Sequence, residues 1–302
     1  MSVDVHARGA PKPAPVKDIR FPMLPDQPHG EFILRVSSYN IQGLTHLFDG
    51  NGRYRDIGRI LNHRRQTGTA PHIVLAQEAF SNSSVQQVRD ISRYPYFKYG
   101  PPPEANEESA GLMALSEFPI LAEAEYVYRA ENSVGFDWNA RKGIHYTKIK
   151  IPGLATPIEI FNTHMQADYN DWTSPIHESN AARERQQLEL REFFRRTAST
   201  TAPVILVGDF NTFGFTRQFD NLERYTGLFT VAKYCLLNMQ GCTANVNLQY
   251  DFQQTLDHQL YRVDPRNISV MPIRYTKTFM EQVNGRMLSD HAALEVDYKI
   301  TW

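Results

Sequence analysis

Cysteine is scarce in this chain, because only Cys235 and Cys242 occur among its 302 residues. Two cysteines cannot build the framework of a disulfide-rich domain, and no partner ligands of a zinc site accompany them at a suitable spacing. They either close one small-loop disulfide or remain ordinary thiols. The sequence favours neither alternative.

Long apolar runs are also missing. No run reaches the roughly 18 residues that a membrane-spanning helix needs, and residues 1–14 lack the hydrophobic core of a signal peptide. We therefore expect a soluble chain without a transmembrane segment. Its compartment stays open between the cytoplasm and export with the signal already absent from this sequence.

The third feature that is lacking is an excess charge of one sign. The 32 basic and 33 acidic residues leave a formal net charge of −1, so no overall basic field attracts phosphate backbones. This balance disfavours a dedicated nucleic-acid binder, although a local basic groove is compatible with it. The residues that could form such a groove are Arg141, Lys142, Arg183 and Arg185.

The composition, 41% hydrophobic and 22% charged, suits a globular enzyme of one large α/β domain or two smaller ones. Residues 1–30 are proline-rich and predict an extended N-terminal segment, which leaves residues 31–302 as the catalytic domain. Runs of β-branched residues alternate there with polar helical stretches, which predicts sheets covered by helices. The predicted strands are Phe32–Ser37, His72–Gln77, Gly111–Ser116, Ile144–Ile151, Ile158–Asn162, Val204–Val207, Leu256–Tyr261 and Ala293–Ile300.

Two helices are predicted, Arg53–Gln66 and Ala181–Arg196. Ser179 or Asn180 is expected to cap the second one, because short polar side chains accept hydrogen bonds from the first free N–H groups of a helix.

Polar side chains follow the predicted strands at the points where the strands end. Asp209 and Asn211 come after Val204–Val207. In extended backbone they would project to the same side, with Phe210 pointing into the core. A carboxylate and an amide held in this way can bind a hard cation, a phosphate oxygen or a water molecule. Taken alone, the same residues are as easily explained by an Asx turn.

Glu78 ends a second strand, and Asn40 ends a third and could orient Glu78 or touch a cation. Mg²⁺ prefers such oxygen ligands. His164 ends one strand, and His291 stands just before another; one imidazole can take a proton from water while the other stabilises charge on a phosphate. Asp257 is a candidate to orient His291. Each residue alone is more often structural, but the ordered set indicates phosphoryl chemistry.

The motifs that carry these residues resemble the endonuclease/exonuclease/phosphatase superfamily from about Glu31 to the C-terminus. They are Ser38–Gly43, Gln77-Glu78, Asn162–His164, Gly208–Asn211, Leu256-Asp257 and Ser289–His291. The resemblance implies the DNase I-like fold, a four-layer α/β/β/α sandwich of two packed mixed sheets, with the site at one sheet edge.

The resemblance also implies roles. Glu78 should bind Mg²⁺ with help from Asn40, and Asp290 corresponds to an additional acidic residue of the metal site. Asp209, also a metal ligand, and Asn211 should position water and phosphate. His164 should contact the phosphate, and His291 should act as the base, oriented by Asp257; Asp209 is the alternative base. Mn²⁺ or Co²⁺ should substitute for Mg²⁺, because oxygen-rich sites tolerate several ions.

Two further segments resemble neutral sphingomyelinases: Asn162–Ala167, and Phe136–Gly143 with Asp137 and Lys142 five residues apart. The resemblance implies that Lys142 engages the substrate phosphate and that Asp137 holds Lys142 until the substrate arrives. A solvated loop is the plain alternative. The function this favours is sphingomyelinase C-type hydrolysis to ceramide and phosphocholine. A DNA/RNA endonuclease and a non-catalytic lipid- or protein-binding module are the alternatives.

The expected partner is a phospholipid substrate at a membrane surface, met by a monomer, and nucleic acid only under the endonuclease alternative. The long apolar hairpin of secreted bacterial sphingomyelinases is not identifiable in the sequence, so shorter segments would have to touch the lipid. The candidates are Tyr94–Phe97, Phe213–Phe215 and Tyr234–Met239.

Overall fold

The structure, a computed structural model, describes residues 26, 28–43, 50–104, 108–169, 176–262 and 267–302. Most of the predicted N-terminal segment, residues 1–30, therefore lies outside the described residues. Within the described part of the chain, no helix is long and apolar enough to cross a membrane.

Two mixed sheets form the centre of the fold. The first has seven strands in the order β10-β12-β13-β1-β2-β4-β3, and the second has six in the order β5-β6-β7-β8-β11-β9. The strands are β1 Glu31–Asn40, β2 Ile73–Gln77, β3 Tyr96–Tyr99, β4 Met113–Ser116, β5 Ile120–Val127, β6 Gly143–Ile149, β7 Ile158–His164, β8 Val204–Asp209, β9 Phe229–Thr230, β10 Thr243–Ala244, β11 Asp257–Tyr261, β12 Ser269–Thr278 and β13 Ala293–Thr301.

Helices cover the outer face of each sheet. The α-helices are α1 Gly50–Gln66, α2 Asn82–Ser92, α3 Ile176–Thr197, α4 Arg217–Thr226, α5 Val231–Leu237 and α6 Leu248–Gln254, and two short 3₁₀ helices span Ala130–Asn132 and Gly135–Asn139. The predicted four-layer α/β/β/α sandwich is thereby confirmed.

Side-chain alternation along β2 shows how the layers are held together. Ile73 and Leu75 join the core shared by the two sheets, whereas Val74 and Ala76 face a second core against α1 and α2. Because successive side chains of a strand point to opposite faces, a strand buried on both faces is apolar throughout. The uninterrupted apolar run Ile73–Ala76, whose residues are all buried, follows this rule.

The second predicted helix begins earlier than expected. α3 starts at Ile176, so Ser179 and Asn180 lie inside the helix, and the prediction that either residue caps it was wrong. Their side chains have tertiary or local partners instead. The Ser179 hydroxyl accepts the Tyr169 N–H at 3.1 Å, and the Asn180 carbonyl accepts a hydrogen bond from Arg183 at 2.6 Å.

The two cysteines form a disulfide between Cys235 in α5 and Cys242, with a Cα–Cα distance of 5.0 Å. Of the two alternatives that the sequence left open, the structure contains the bonded one. Replacing both cysteines with serine should lower the free energy of unfolding by about 2.5 kcal/mol, because a short cross-linked loop loses entropy in the unfolded state. Urea unfolding of the variant and of the oxidised wild type measures this difference, and equal stabilities would contradict it.

His72 gives the fold a dependence on pH. Its Nδ1 atom accepts the Arg35 backbone N–H at 3.0 Å, and its ring packs between Phe32 and Phe118. Burial, and secondarily the Arg35 charge, lower the pKa of His72 to about 4 from its usual 6.5. The folded protein therefore holds a neutral ring, while the unfolded chain takes up a proton below pH 6.5.

The contribution of His72 is consequently complete above pH 6.5 and is lost as the pH falls through about 4. When the pH falls from 7 to 4, the free energy of unfolding of the wild type should drop by up to about 3 kcal/mol more than that of His72→Phe. Denaturant unfolding at several pH values measures it. A pH-independent difference would contradict the assignment.

Candidate active site

Strand ends from both sheets meet at one end of the sandwich. In the seven-stranded sheet β1 and β2 run parallel and end together, with Asn40 paired to Gln77. In the six-stranded sheet β7 and β8 run parallel and end with His164 opposite Asp209. β11 runs the other way and starts there, with Asp257 opposite Asp209. The polar residues at the strand ends are thus brought together, as the sequence predicted.

The amide of Asn40 joins the two sheets. Its Nδ2 atom donates to Oε1 of Glu78 at 2.9 Å and to Oδ2 of Asp209 at 3.0 Å. Its Oδ1 atom accepts the Gln42 N–H at 2.9 Å, which fixes the orientation of the amide. Asn40 is fully buried, so these bonds hold two carboxylates from different sheets at a defined separation.

Glu78, His164 and Asp209 form a group whose candidate ligand atoms all lie within 4.8 Å of one another. Oε2 of Glu78 is buried and has no hydrogen-bond partner among the described residues. Burial raises the pKa of Glu78, and burial followed by the charge of Asp257 raises the pKa of Asp209 to about 7. Uncompensated buried carboxylates are unfavourable unless a cation joins them, so the donor set fits a divalent metal ion.

The two histidines differ in charge. Burial, reinforced by the charges of Lys142 and His291, lowers the pKa of His164 well below its usual range. His164 is therefore a neutral ring, and its Nε2 lies 3.6 Å from Oδ2 of Asp209. Its Nδ1 has no hydrogen-bond partner within the described part of the chain. A neutral imidazole can ligate a metal or donate one N–H to a phosphate oxygen.

His291 forms a dyad with Asp257. Its Nδ1 lies 2.6 Å from Oδ2 of Asp257, and its Nε2 is directed toward Asp209, with Oδ2 at 3.9 Å. Burial alone would lower the pKa of His291, but the carboxylates of Asp257, Asp209 and Asp290 raise it to about 10. The predicted orienting role of Asp257 therefore has the geometry it requires, a carboxylate on one ring nitrogen that leaves the other facing the site.

Ser289 connects this dyad to Asn40. Its hydroxyl donates to the Asn40 carbonyl at 2.7 Å and accepts the His291 N–H at 3.1 Å. Neighbouring Asp290 is exposed and lies outside the two groups of candidate metal ligands found at this end of the described structure. It is close enough to act on the pKa values of Glu78 and His291 through its charge.

The Asp209-Phe-Asn211 segment differs from the sequence expectation in one respect. The backbone does not stay extended, because β8 ends at Asp209 and Asn211 has a φ of 49°. The Asn211 N–H bonds to Oδ1 of Asp209 at 2.9 Å, which closes an Asx turn, and its side-chain amide donates to the Met165 carbonyl at 2.9 Å. Phe210 is buried as expected. The turn and the placement of Asn211 at the site are thus compatible.

Lys142 and Asp137 form a buried ion pair, so these side chains are not solvated in the way that the plain alternative, a solvated loop, would have them. The Lys142 ammonium donates to Oδ2 of Asp137 at 2.8 Å and to the Met165 carbonyl at 3.0 Å. Asp137 also accepts the Ala167 N–H at 2.7 Å and the Tyr169 hydroxyl at 3.1 Å. The ammonium and the Asn211 amide therefore share one carbonyl acceptor at the edge of the site.

Sequence reasoning missed three parts of this arrangement. They are the Met165 carbonyl, the Tyr169 hydroxyl and the buried bond between the Gln77 and Asn162 amides, which links the sheets at 2.7 Å. Gln77 and Asn162 stand beside Glu78 and close to His164 in the motifs, so pairing of polar residues on facing strands could have suggested that contact. A main-chain carbonyl leaves no signal in the sequence.

A four-layer sandwich with such a centre defines a class of protein, the hydrolases that cleave phosphate esters with a divalent metal. Comparison with known sequences agrees, because the pattern of the Endonuclease/Exonuclease/phosphatase family matches residues 37–291. The chain belongs to this family. No curated protein sequence matches the chain significantly.

Solved structures of the same fold include sphingomyelinase C from Streptomyces griseocarneus, with a TM-score of 0.65, 21% identity, and 88% of this chain and 99% of that chain covered. A beta toxin variant from Staphylococcus aureus with bound magnesium ions has a TM-score of 0.64 and 18% identity, with 88% of this chain and 99% of that chain covered. D. rerio TDP2 complexed with single-strand DNA product has a TM-score of 0.61 and 17% identity, with 88% of this chain and 98% of that chain covered. At these identities the likeness concerns the fold.

Proposed function

We propose that the chain is a sphingomyelinase C-type phosphodiesterase that releases phosphocholine from sphingomyelin with Mg²⁺. The observation that carries this proposal is the buried Asp137–Lys142 pair, which brings one ammonium to the Met165 carbonyl beside Asn211. A single localised cation next to the acidic centre suits one phosphodiester with a compact headgroup. A nucleic acid would need cationic contacts to several phosphates.

Each residue of the centre has its own role in the proposed reaction. The carboxylates around His291 raise its pKa, and a divalent cation held at Glu78 would offset them. The neutral ring, held by Asp257, would then take a proton from the water that attacks phosphorus in line. Asn211 and Lys142 bind the phosphate oxygens, while Asp209, fixed by Asn40, orients the attacking water. His164 contributes an N–H to the phosphate. Glu78, with Asn40, Asp209 and Asp290 nearby, would hold a divalent cation, whose positive charge would neutralise the phosphate and the departing alkoxide.

The basic residues considered for a nucleic-acid groove have other partners. Lys142 is paired with Asp137, and Arg141 is paired with Glu104. The buried Arg183 donates to the Gln166 carbonyl and to other neighbours, and Arg185 donates to Asn132. Arg141, Arg183 and Arg185 are thus engaged elsewhere, which leaves Lys142 as one cation for one phosphate and favours the lipid substrate over the nuclease alternative.

Exposed apolar side chains continue from the site along one flank. Phe213 and Phe215 follow Asn211 and are 42% and 50% exposed. Phe215 packs against Phe252 of α6, and α6 packs against α5. Leu237, the last residue of α5, and Met239, two residues past its end, are 77% and 72% exposed. Two of the predicted membrane segments, Phe213–Phe215 and Tyr234–Met239, thus present apolar groups to solvent. The third, Tyr94–Phe97, exposes less apolar surface, because Tyr94 is buried and Phe97 half-buried, and Tyr96 is its one large exposed side chain.

Replacing Phe213 and Phe215 with serine should lower the rate on sphingomyelin vesicles by about 10- to 100-fold, because each phenyl ring loses its burial in the lipid interface. The rate on a water-soluble short-chain sphingomyelin should stay within about twofold. Leu121→Ser, at a 54% exposed residue of β5, is the matched control. An equal loss on both substrates would contradict a role in membrane contact.

The test of the proposed function compares sphingomyelin, phosphatidylcholine and plasmid DNA side by side. Each is incubated with Mg²⁺, with EDTA and with His291→Ala. We expect EDTA-sensitive, His291-dependent release of phosphocholine from sphingomyelin. Nicking of DNA with inert lipids would replace the lipid substrate by nucleic acid at the same centre, and the absence of any turnover would favour the binding-module alternative.

A further inference from the structure

A second group of metal-ligating side chains lies at the edge of the six-stranded sheet. Glu123 and Glu125 are two residues apart on β5 and therefore share a face, and His145 of β6 is directly opposite Glu125 in the strand register. One ligand atom from each of the three residues lies within 4.8 Å of the others. None of these residues takes part in the catalytic centre.

His145 has an unusual environment for an imidazole. The ring is buried, yet neither Nδ1 nor Nε2 makes a hydrogen bond with any residue that the structure describes. Nε2 points toward Oε2 of Glu123 at 3.5 Å. The hydroxyl of Thr147, opposite Glu123 in the register, is likewise buried without a described partner. Buried polar groups without partners are costly, which favours a bound ligand at this cluster.

The surroundings leave the cluster negatively charged. Glu125 rests against Gly100, where any side chain would collide with the carboxylate. Among the described residues, the ammonium in direct contact is that of Lys98 on β3, which donates to Oε1 of Glu123 at 2.6 Å, and the Arg141 guanidinium acts on Glu125 through its charge. The buried ring has no hydrogen-bond partner on either nitrogen among the described residues, and a neutral imidazole keeps one lone pair for coordination. Burial, and then the charge of Glu123, raise the pKa of Glu125.

We propose that Glu123, Glu125 and His145 bind a second divalent metal ion of the zinc class, separate from the catalytic ion. One imidazole nitrogen and two carboxylate oxygens are three protein ligands that Zn²⁺ accepts, with water in the fourth position. The imidazole disfavours Mg²⁺, which prefers oxygen ligands throughout. The ion takes the place of the Lys98 ammonium on Glu123 and links β5 to β6 at the edge of the sheet.

The experiment compares two full-length proteins. The first carries Glu78→Gln, which weakens the catalytic metal site. The second carries Glu78→Gln together with Glu123→Gln and Glu125→Gln. Both glutamates are on the surface, so the added changes should not disturb folding. Zn²⁺ titration by calorimetry should give one more bound equivalent in the first protein than in the second. Zn²⁺ should also raise the Tm of the first protein by several degrees more, since the bound ion stabilises only the folded state.

A third variant tests whether Zn²⁺ binds directly to Glu123 rather than water alone occupying the cluster. Lys98→Met removes the competing ammonium and should tighten Zn²⁺ binding at this site about tenfold. Mg²⁺-dependent hydrolysis by Glu123→Gln/Glu125→Gln in the otherwise wild-type chain should be unchanged. Equal numbers of Zn²⁺ ions bound with and without Glu123 and Glu125, or no effect of Lys98→Met on affinity, would overturn the proposal.

Discussion

His291→Ala is expected to lower kcat/KM for phosphodiester hydrolysis by about 10³-fold, the size of a lost general base. The Nδ1 atom of His291 is held by Asp257 at 2.6 Å, so the other ring nitrogen faces the site and has no equivalent nearby. The neutral, buried His164 cannot replace it without leaving its own strand end. Initial rates at saturating Mg²⁺ measure the effect.

Asp257→Asn is the matched control for His291→Ala. The amide fills the same space and can still bond to the imidazole, but it removes the negative charge that favours the protonated ring. We expect a loss of the same order as for His291→Ala, because an amide N–H that donates to Nδ1 leaves the ring proton on Nε2, which can then no longer take a proton from water. Rates within tenfold of wild type in His291→Ala would contradict the assignment of the base and would favour Asp209, whose carboxylate lies 3.9 Å from the ring.

Glu78→Gln is expected to have two effects of opposite sign. The Mg²⁺ concentration for half-maximal activity should rise by about 100-fold, because a carboxylate ligand becomes a neutral amide. In EDTA the variant should unfold at a higher temperature than wild type, since Oε2 of Glu78 is a buried oxygen without a described partner and burial of its charge raises the Glu78 pKa.

Thermal unfolding with and without Mg²⁺ separates the two effects. Wild type should gain stability from Mg²⁺, and Glu78→Gln should gain little, because only the folded protein holds the ligands together. Asp290→Asn is a suitable control, since Asp290 is exposed and should change metal affinity less. A metal-free Glu78→Gln protein that is less stable than wild type would show that Glu78 holds the fold rather than an ion.

Much of the centre was predictable because it is built on strand ends. Asn40, Glu78, His164 and Asp209 follow apolar strands in the sequence, and parallel strands bring their ends to one edge. The turns at these ends were not predictable in detail. Glu78 and Asn211 have positive φ angles of 59° and 49°. Glu78 is hydrogen-bonded to Asn40, and Asn211 is hydrogen-bonded to Asp209. Local sequence does not encode the Glu78 conformation, because its partner Asn40 comes from a distant strand. The turn at Asn211 is local, and the sequence had offered it as an Asx turn.

The strands that were missed lack the patterns of buried strands. β12 carries Pro272 in its middle, which argues against a strand, but the ladder is irregular there, with a register shift between Pro272 and Arg274. β5 is an edge strand with mostly exposed or half-buried residues. β9 and β10 have two residues each, too few for any period. Edge position or short length hid β5, β9 and β10, and the proline hid β12.

Hydrolysis of sphingomyelin in ¹⁸O-labelled water tests the central claim most directly, because it reports both the substrate and the bond that breaks. We predict Mg²⁺-dependent release of phosphocholine that carries one ¹⁸O atom, with unlabelled ceramide, since water attacks phosphorus in line. Label in the ceramide hydroxyl, or no metal-dependent release of phosphocholine at all, would contradict the account.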